Sequence, residues 1–233
     1  MVFVIAEIGV NWDGDLALVR DMITKSKEFG CNAVKFQAYN ENLVKSHPEW
    51  KRLMKAAVLP ENIEEIDKIA RNVGIEWFCT PMYPKAVDML EPYVKRFKLR
   101  ELDGRQLLQN KTSELFEKIQ ATNKEVIVSS EKSPKNCMYY NKNQIKWLYC
   151  VPKYPCKLTE LDFSFFQDFD GYSNHAPNLI APLTSVIKGG KILEVHITSD
   201  KNKNFIDNNV SFDFNELQRL MELIRSAEKI KIN

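Results

Sequence analysis

Polar and charged side chains recur near the carboxyl ends of apolar segments that have the pattern of buried β-strands. Glu7 ends the first such segment, and Lys35 and Gln37 lie two residues apart in the second, on one face of the strand. Later segments contribute Thr80, Lys98, Ser129, Tyr154, Ser173, His175 and His196. A buried lysine or glutamate costs several kcal/mol unless it is paired. Convergence of these groups therefore predicts a pocket for an anionic ligand.

Two of the three histidines, His175 and His196, end successive strand-like segments. Neutral imidazole is a common ligand for manganese, iron and zinc. A single histidine at a strand end is more often structural, but two on neighbouring strands, with acidic residues nearby, indicate a metal site. The third, His47, lies in a Ser-His-Pro loop and is expected to take part in neither catalysis nor metal binding.

The elements that must position these side chains alternate between strand-like and helix-like patterns along the whole chain. The predicted strands span residues 3–9, 33–38, 75–81, 95–101, 125–130, 144–151, 170–175 and 191–198. The predicted helices span residues 15–29, 60–73, 85–94, 112–121, 179–188 and 215–230. The helix before the sixth strand is expected to be short or degenerate.

Apolar strands that alternate with helices predict a parallel sheet that is buried on both faces. In 233 residues, closure into a single (β/α)₈ TIM barrel over 1–233 is the economical solution. A doubly wound open sheet is the main alternative. In a barrel, the carboxyl ends of all strands meet at one mouth, so the polar residues above would share one site.

Composition excludes some classes of partner and indicates a compartment. Lys and Arg total 33 against 31 Asp and Glu, a net charge of only +2, so neither nucleic acid nor an anionic membrane is expected as a partner. The five cysteines form no CxxC pair and are interpreted as reduced thiols. The amino terminus has no signal-peptide pattern and no apolar run approaches a membrane span, so a cytoplasmic location is expected.

Six segments, in order, resemble the successive strand-end motifs of the N-acetylneuraminate (sialic acid) synthase family. They are AEIGVNWDGDL (6–16), AVKFQ (33–37), CTP (79–81), YCVPKYP (149–155), GYSNHAP (171–177) and ILEVHIT (192–198). Each is weak alone, but the ordered set is specific and covers nearly the whole chain. The resemblance implies a barrel that condenses phosphoenolpyruvate with an N-acetylated amino sugar, such as N-acetylmannosamine, in the presence of Mn²⁺ or Mg²⁺.

The resemblance also implies a role for each matching residue. His175 and His196 would hold the metal, and Glu7 would act near the reacting carbonyl and water. Phosphoenolpyruvate would be held by Lys35, Thr80, Lys98, Ser129 and Ser173. The sugar would be faced by Gln37, Tyr154, Asp207 and, as a carboxylate on the metal-bound sugar, Asp103.

Three departures from the family pattern leave two hypotheses open. Glu101 falls where the family has a phosphate-binding serine, and strand five ends Ser129-Ser130-Glu131 instead of Ser-Thr-Gly. The antifreeze-like domain that usually follows the barrel is not in this sequence, so a separate protein with that domain and a homodimer are the expected partners. The chain is then either a phosphate-releasing synthase or a degenerate barrel that keeps the metal and anion pocket for binding.

Overall fold

Eight parallel strands close into a barrel in the computed structural model, which describes residues 1–230. Each strand pairs with its sequence neighbour, and β8 returns to pair with β1. The strands are β1 (Phe3–Gly9), β2 (Ala33–Ala38), β3 (Glu76–Pro81), β4 (Arg96–Leu99), β5 (Glu125–Ser130), β6 (Ile145–Tyr149), β7 (Gly171–Asn174) and β8 (Ile192–His196). The predicted (β/α)₈ barrel is confirmed, and the open-sheet alternative is wrong.

Helices surround the strands, and short ones lie in the connections at the mouth. They are α1 (Leu16–Glu28), α2 (Glu41–Val44), α3 (Trp50–Lys55), α4 (Ile63–Val73), α5 (Pro84–Leu90), α6 (Glu101–Gly104), α7 (Glu114–Ala121), α8 (Ile180–Ile187) and α9 (Phe214–Ala227). Asp15 starts α1 by accepting hydrogen bonds from the backbone N–H groups of Ala17 and Leu18. Gly74 ends α4 with φ +74°, the left-handed conformation that glycine adopts without strain.

The shell beside β6 and β7 differs from the usual barrel, because aromatic packing takes the place of a long helix there. Only 3₁₀ turns, Leu158–Glu160 and Phe166–Asp168, lie between these two strands. The ring of Tyr149 lies 5.4–5.9 Å, centroid to centroid, from four other aromatic rings, those of Phe163, Phe165, Phe169 and Tyr172. Such edge-to-face and tilted pairs stabilise the outer sheet surface as a helix would.

The five cysteines are all free and buried, as expected for packing thiols. Among residues 1–230, no helix combines the length and apolar character needed to cross a membrane.

The error in strand prediction that bears most on the site concerns the fourth strand. It was expected to extend over residues 95–101, but β4 ends at Leu99 and the chain turns directly into α6 at Glu101. The side chains of this turn therefore project from a short helix instead of from a strand, which changes what they contact.

Candidate active site at the barrel mouth

One cavity of about 490 Å³ opens at the carboxyl ends of the strands. Eleven of the twelve side chains that were predicted for the site line it: Glu7, Lys35, Gln37, Thr80, Lys98, Ser129, Tyr154, Ser173, His175, His196 and Asp207. Strand alternation explains this, because every second residue of each strand faces the barrel interior and paired positions on neighbouring strands, such as Glu7 and Lys35, face the same way. The barrel thus gathers residues that are up to 200 positions apart into one polar site.

The floor of the cavity is a buried network of two lysines and two glutamates. Lys98 Nζ lies 2.7 Å from Glu194 Oε1, and Lys35 Nζ lies 2.9 Å from Glu7 Oε1. Lys35 Nζ is also 3.7 Å from Glu194 Oε2, so Glu194 bridges both ammonium groups. Ser173 Oγ donates a further hydrogen bond of 2.8 Å to Glu194 Oε1. These contacts supply the pairing that charges in a barrel interior require.

Burial and the nearby opposite charges together set the pKa values of the lysines and of Glu194 in this network. Burial would raise the pKa of the Glu194 carboxyl, but Lys35 and Lys98 outweigh burial and hold that pKa well below its usual range. Burial would likewise lower the pKa of Lys35, and Glu194 and Glu7 overcome it, so that the pKa of Lys35 is raised. For Lys98 burial prevails over Glu194, and its pKa is lowered. Glu194 is therefore a fixed anion, and Lys98 is the more easily deprotonated of the two lysines.

Glu7 and Glu194 each have one buried oxygen, Oε2, without a hydrogen-bond partner among the described residues; the Oε2 of Glu194 lies 3.7 Å from Lys35 Nζ. Glu7 Oε1 accepts hydrogen bonds from Lys35 Nζ and from Gln37 Nε2, the latter at 3.0 Å. A buried carboxylate oxygen without a partner costs free energy, so it is expected to bind a donor supplied by ligand or water.

The two strand-end histidines lie side by side, with ring centroids 5.4 Å apart. His175 Nδ1 donates to the Val151 carbonyl oxygen at 2.8 Å, because a carbonyl can only accept, and this leaves Nε2 as the free nitrogen. Burial, followed by the neighbouring His196, lowers the pKa of His175 to about 3, so the ring is neutral. His196 Nδ1 is buried without a hydrogen bond among the described residues and lies 3.5 Å from Asp207 Oδ2.

These observations are compatible with a divalent ion held by imidazole. His175 presents an unprotonated nitrogen whose tautomer is fixed by a backbone carbonyl, which is the usual arrangement of a ligating histidine. His196 contributes a buried nitrogen without a hydrogen bond. No cluster of three or more His, Cys, Asp or Glu side chains with the spacing of a metal site occurs within residues 1–230. If a divalent ion binds at the mouth, these two imidazoles are the side chains that would hold it.

Tyr154 and Gly9 shape the space around the histidines. The Tyr154 ring stacks on His175 with centroids 4.1 Å apart and meets the His196 ring edge-on at 5.6 Å. Gly9, at φ +55°, ends β1, and a Cβ there would lie 3.3–3.4 Å from Glu7 Oε1, Gln37 Nε2 and Asp207 Oδ2. The absence of a side chain at Gly9 keeps these three polar groups close to one another.

The turn after β4 places its charged residues differently from the expectation. Asp103 does not line the cavity, because its carboxylate binds Arg100 within the same turn. The role of Asp103 as a carboxylate that faces the sugar stays a prediction. Glu101 lines the cavity instead, and Arg105 pairs with it through Nε at 2.9 Å and Nη2 at 2.8 Å. Arg105 therefore compensates the charge that Glu101 brings to this position.

Sequence reasoning missed several residues of the cavity wall, Glu194 and His47 among them. Glu194 precedes His196 by two residues in β8, so alternation alone places both on the inner face. Two buried lysines need counterions, and this requirement could have identified Glu194 from the sequence. His47 was expected outside the site, yet it lines the rim, exposed, with Nδ1 accepting from the Glu49 N–H at 3.1 Å. The local sequence around His47 does not predict its place at the rim, because that place depends on how the segment from α2 to α3 folds.

Comparisons with known proteins agree with this geometry. A model of the NeuB family matches residues 22–233. An uncharacterised protein from Methanocaldococcus jannaschii is 30% identical over 98% of this chain and 71% of its own length. N,N'-diacetyllegionaminic acid synthase from Legionella pneumophila is 28% identical over 98% of this chain and 72% of its own. The crystal structure of N-acetylneuraminic acid (sialic acid) synthetase from Leptospira borgpetersenii, in complex with citrate, superposes with a TM-score of 0.85 at 26% identity, covering 98% of this chain and 84% of that one.

The fold and the site together define a (β/α)₈ barrel with a buried lysine–glutamate network and two imidazoles at its mouth. Within that class, the chain belongs to the NeuB family. The relatives that carry a named activity are sialic-type acid synthases, so a synthase-like function is supported for this chain.

Proposed function

We propose that the chain condenses phosphoenolpyruvate with an N-acylated amino sugar, such as N-acetylmannosamine, to a nine-carbon sugar acid and releases phosphate. The observation that carries the proposal is the meeting of two buried lysines, an unsatisfied glutamate oxygen and two neighbouring imidazoles in one cavity. The cavity volume of about 490 Å³ lies within the range of small-molecule sites.

In this proposal, Lys35 and Lys98 bind the carboxylate and phosphate oxygens of phosphoenolpyruvate by charge-assisted hydrogen bonds. Thr80 Oγ1, which accepts from Lys35 Nζ at 3.1 Å, keeps that ammonium group oriented. Ser129 Oγ is buried without a partner among the described residues, so it has a hydrogen bond to offer. Ser173 donates a hydrogen bond to Glu194 and lines the same wall of the cavity.

Glu7 is the proposed group for the proton of water. Its Oε1 is fixed by Lys35 and Gln37, whereas Oε2 is free to accept a proton from water. Glu194 also has an Oε2 without a hydrogen bond, but Lys35 and Lys98 hold its pKa far below the usual range, which makes it a weaker base. Glu194 instead positions the two lysines.

In the proposed reaction, formation of a carbon–carbon bond is followed by addition of water and loss of phosphate. The alkene carbon of phosphoenolpyruvate forms a bond to the aldehyde carbon of the open-chain sugar, whose oxygen takes a proton. Water adds to the carbon that carries the phosphate group, and cleavage of the C–O bond releases phosphate and leaves a ketone.

Mn²⁺ or Mg²⁺ is the proposed cofactor, with His175 and His196 as its protein ligands. Its contribution, when bound, is Lewis-acid polarisation of the sugar carbonyl. Tyr154 and Asp207 lie beside the two histidines, where the sugar would be oriented.

Phosphate release tests the proposal. The protein is incubated with phosphoenolpyruvate, Mn²⁺ and each member of a panel of N-acetylated sugars, with Glu7→Gln as a matched variant that keeps size and hydrogen bonding. We expect sugar-dependent phosphate release by the parent and a loss of at least a hundredfold in Glu7→Gln. Binding of phosphoenolpyruvate without phosphate release from any sugar would favour the alternative, a barrel that binds but does not catalyse.

A further inference from the structure

A buried asparagine in the turn between β1 and α1 makes three hydrogen bonds to the connection that follows β8. Asn11 is fully buried. Its Nδ2 group donates to the Ile197 carbonyl oxygen at 2.8 Å and to Ser211 Oγ at 2.9 Å. Its Oδ1 atom accepts from the backbone N–H of Asp207 at 3.1 Å. Asn11 therefore ties the turn after β1 to both ends of that connection and to Asp207 within it.

The connection after β8, residues 199–210, has few other polar attachments to the barrel. Ser211 Oγ, which accepts from Asn11, donates in turn to the Asp207 carbonyl oxygen at 2.7 Å. Apart from one ion pair with α9, the other hydrogen bonds of this segment within the described chain stay inside it or reach its direct neighbours, Thr198 and Ser211. Two of its apolar side chains are buried, but apolar burial is not directional. Asn11 is thus the polar contact that fixes where Asp207 lies.

The carboxylate placed in this way lies beside one of the two imidazoles. Asp207 Oδ2 is 3.5 Å from His196 Nδ1. Gly9 leaves room for this carboxylate, because a Cβ at that position would lie 3.4 Å from the same oxygen. A negative charge next to an imidazole that holds a cation favours the bound cation, and loss of such a neighbour typically weakens metal binding about 10- to 100-fold.

We propose that Asn11 is a positioning residue, which holds the Asp207 carboxylate beside His196 and thereby sets the affinity of the mouth for a divalent ion. An amide suits this place, because an aspartate side chain would lack the two N–H donors and alanine would lack the acceptor as well. The inference rests on the metal site of the proposed function, but its test needs no turnover.

Calorimetric titration of the full chain with Mn²⁺ measures the effect. Asp207→Asn keeps the size of the side chain and removes its charge, and it should weaken Mn²⁺ binding at least about tenfold. Asn11→Ala keeps that charge but releases it from its place, and it should weaken binding at least about fivefold. In the Asp207→Asn background, Asn11→Ala should change the affinity less than about twofold, because the group that Asn11 positions is then neutral. A purely structural role of Asn11 would give the same loss in both backgrounds.

A milder variant and a control complete the test. Ser211→Ala removes one acceptor of Asn11 and the donor to the Asp207 carbonyl, so it should also weaken Mn²⁺ binding, which keeps the test informative if Asn11→Ala does not fold. Asn32→Ala is the matched control. Asn32 Oδ1 accepts from the Val4 N–H at 2.8 Å near the amino end of β1, far from the mouth, and its loss should leave Mn²⁺ affinity unchanged.

Each outcome decides the inference. Equal losses from Asn11→Ala in the two backgrounds, or unchanged Mn²⁺ affinity in both Asn11→Ala and Ser211→Ala, would overturn it and leave the proposed function intact. If the parent binds no Mn²⁺, the proposed metal site fails, and the NMR signal of the His196 ring, assigned with His196→Gln, decides instead. A shift of that signal in Asn11→Ala that is lost in the Asp207→Asn background supports the inference, whereas the same shift in both backgrounds, or none in either, contradicts it.

Discussion

Replacement of Lys35 by methionine removes one of the two ammonium groups from the floor of the cavity. Lys35 is 3% exposed and lies within 4 Å of oxygens on Glu7, Glu194 and Thr80. Methionine has similar length and no charge, so the substitution tests charge more than volume. Glu194 keeps Lys98, but Glu7 keeps only Gln37 as a neutral partner.

Two magnitudes follow from these contacts. Breaking a buried ion pair by removing one partner costs about 3–5 kcal/mol. In a chain of this size, a loss of about 3 kcal/mol lowers Tm by about 6–12 °C. Loss of one charge-assisted hydrogen bond costs about 1.5–3 kcal/mol, so phosphoenolpyruvate should bind about ten- to a hundredfold more weakly.

Calorimetry with phosphoenolpyruvate and thermal unfolding followed by circular dichroism measure the two effects separately. The double variant Lys35→Met/Glu7→Gln removes the stranded carboxylate, so stability should recover by about 1–3 kcal/mol relative to the sum of the single variants. Affinity for phosphoenolpyruvate should stay low in the double variant. If Lys35→Met binds phosphoenolpyruvate as tightly as the parent, the assigned role of Lys35 is refuted.

Three further outcomes are expected. His175→Ala removes one of two proposed imidazole ligands and should abolish Mn²⁺ binding in calorimetry with an unchanged circular dichroism spectrum; unaltered affinity would remove the metal proposal. Gly171→Ala would place a Cβ 1.8 Å from the Ile192 carbonyl oxygen between β7 and β8, and should cost about 3 kcal/mol or more in urea unfolding. Asp15→Ala removes the α1 cap and should cost about 1 kcal/mol, whereas Asp15→Asn, which keeps an acceptor oxygen, should cost little; equal losses would contradict the cap.

The fold was predictable because its signals are local and periodic. Three strands, Phe3–Gly9, Ala33–Ala38 and Glu125–Ser130, have the predicted bounds, since apolar runs flanked by turn residues mark both of their ends. The end of α4 was marked by Gly74. The fourth strand was predicted too long, because the local sequence does not indicate that a helical turn begins at Glu101.

The site residues whose inward orientation follows from strand alternation were predictable. Those whose position depends on an ion pair with a distant residue were less so. The inward positions of successive strands were identified as polar and lie around one cavity. Glu194 was not predicted, because a single glutamate in an apolar strand is usually interpreted as a residue at the strand edge. Its two lysine partners come from other strands, and only the folded barrel brings them close to it. Asp103 pairs with Arg100 within a turn of the chain, a contact that strand alternation does not predict.

In the proposed function, the mouth of this barrel joins phosphoenolpyruvate to an amino sugar with cleavage of the C–O bond. Phosphoenolpyruvate labelled with ¹⁸O at the bridging oxygen, incubated with Mn²⁺ and N-acetylmannosamine, tests it most directly by mass spectrometry of both products. We expect one sugar acid to form for each phosphate released, with the label wholly in phosphate. Label in the sugar acid would contradict the proposed bond cleavage, and the absence of any sugar acid from the whole panel of N-acetylated sugars would contradict the synthase function itself.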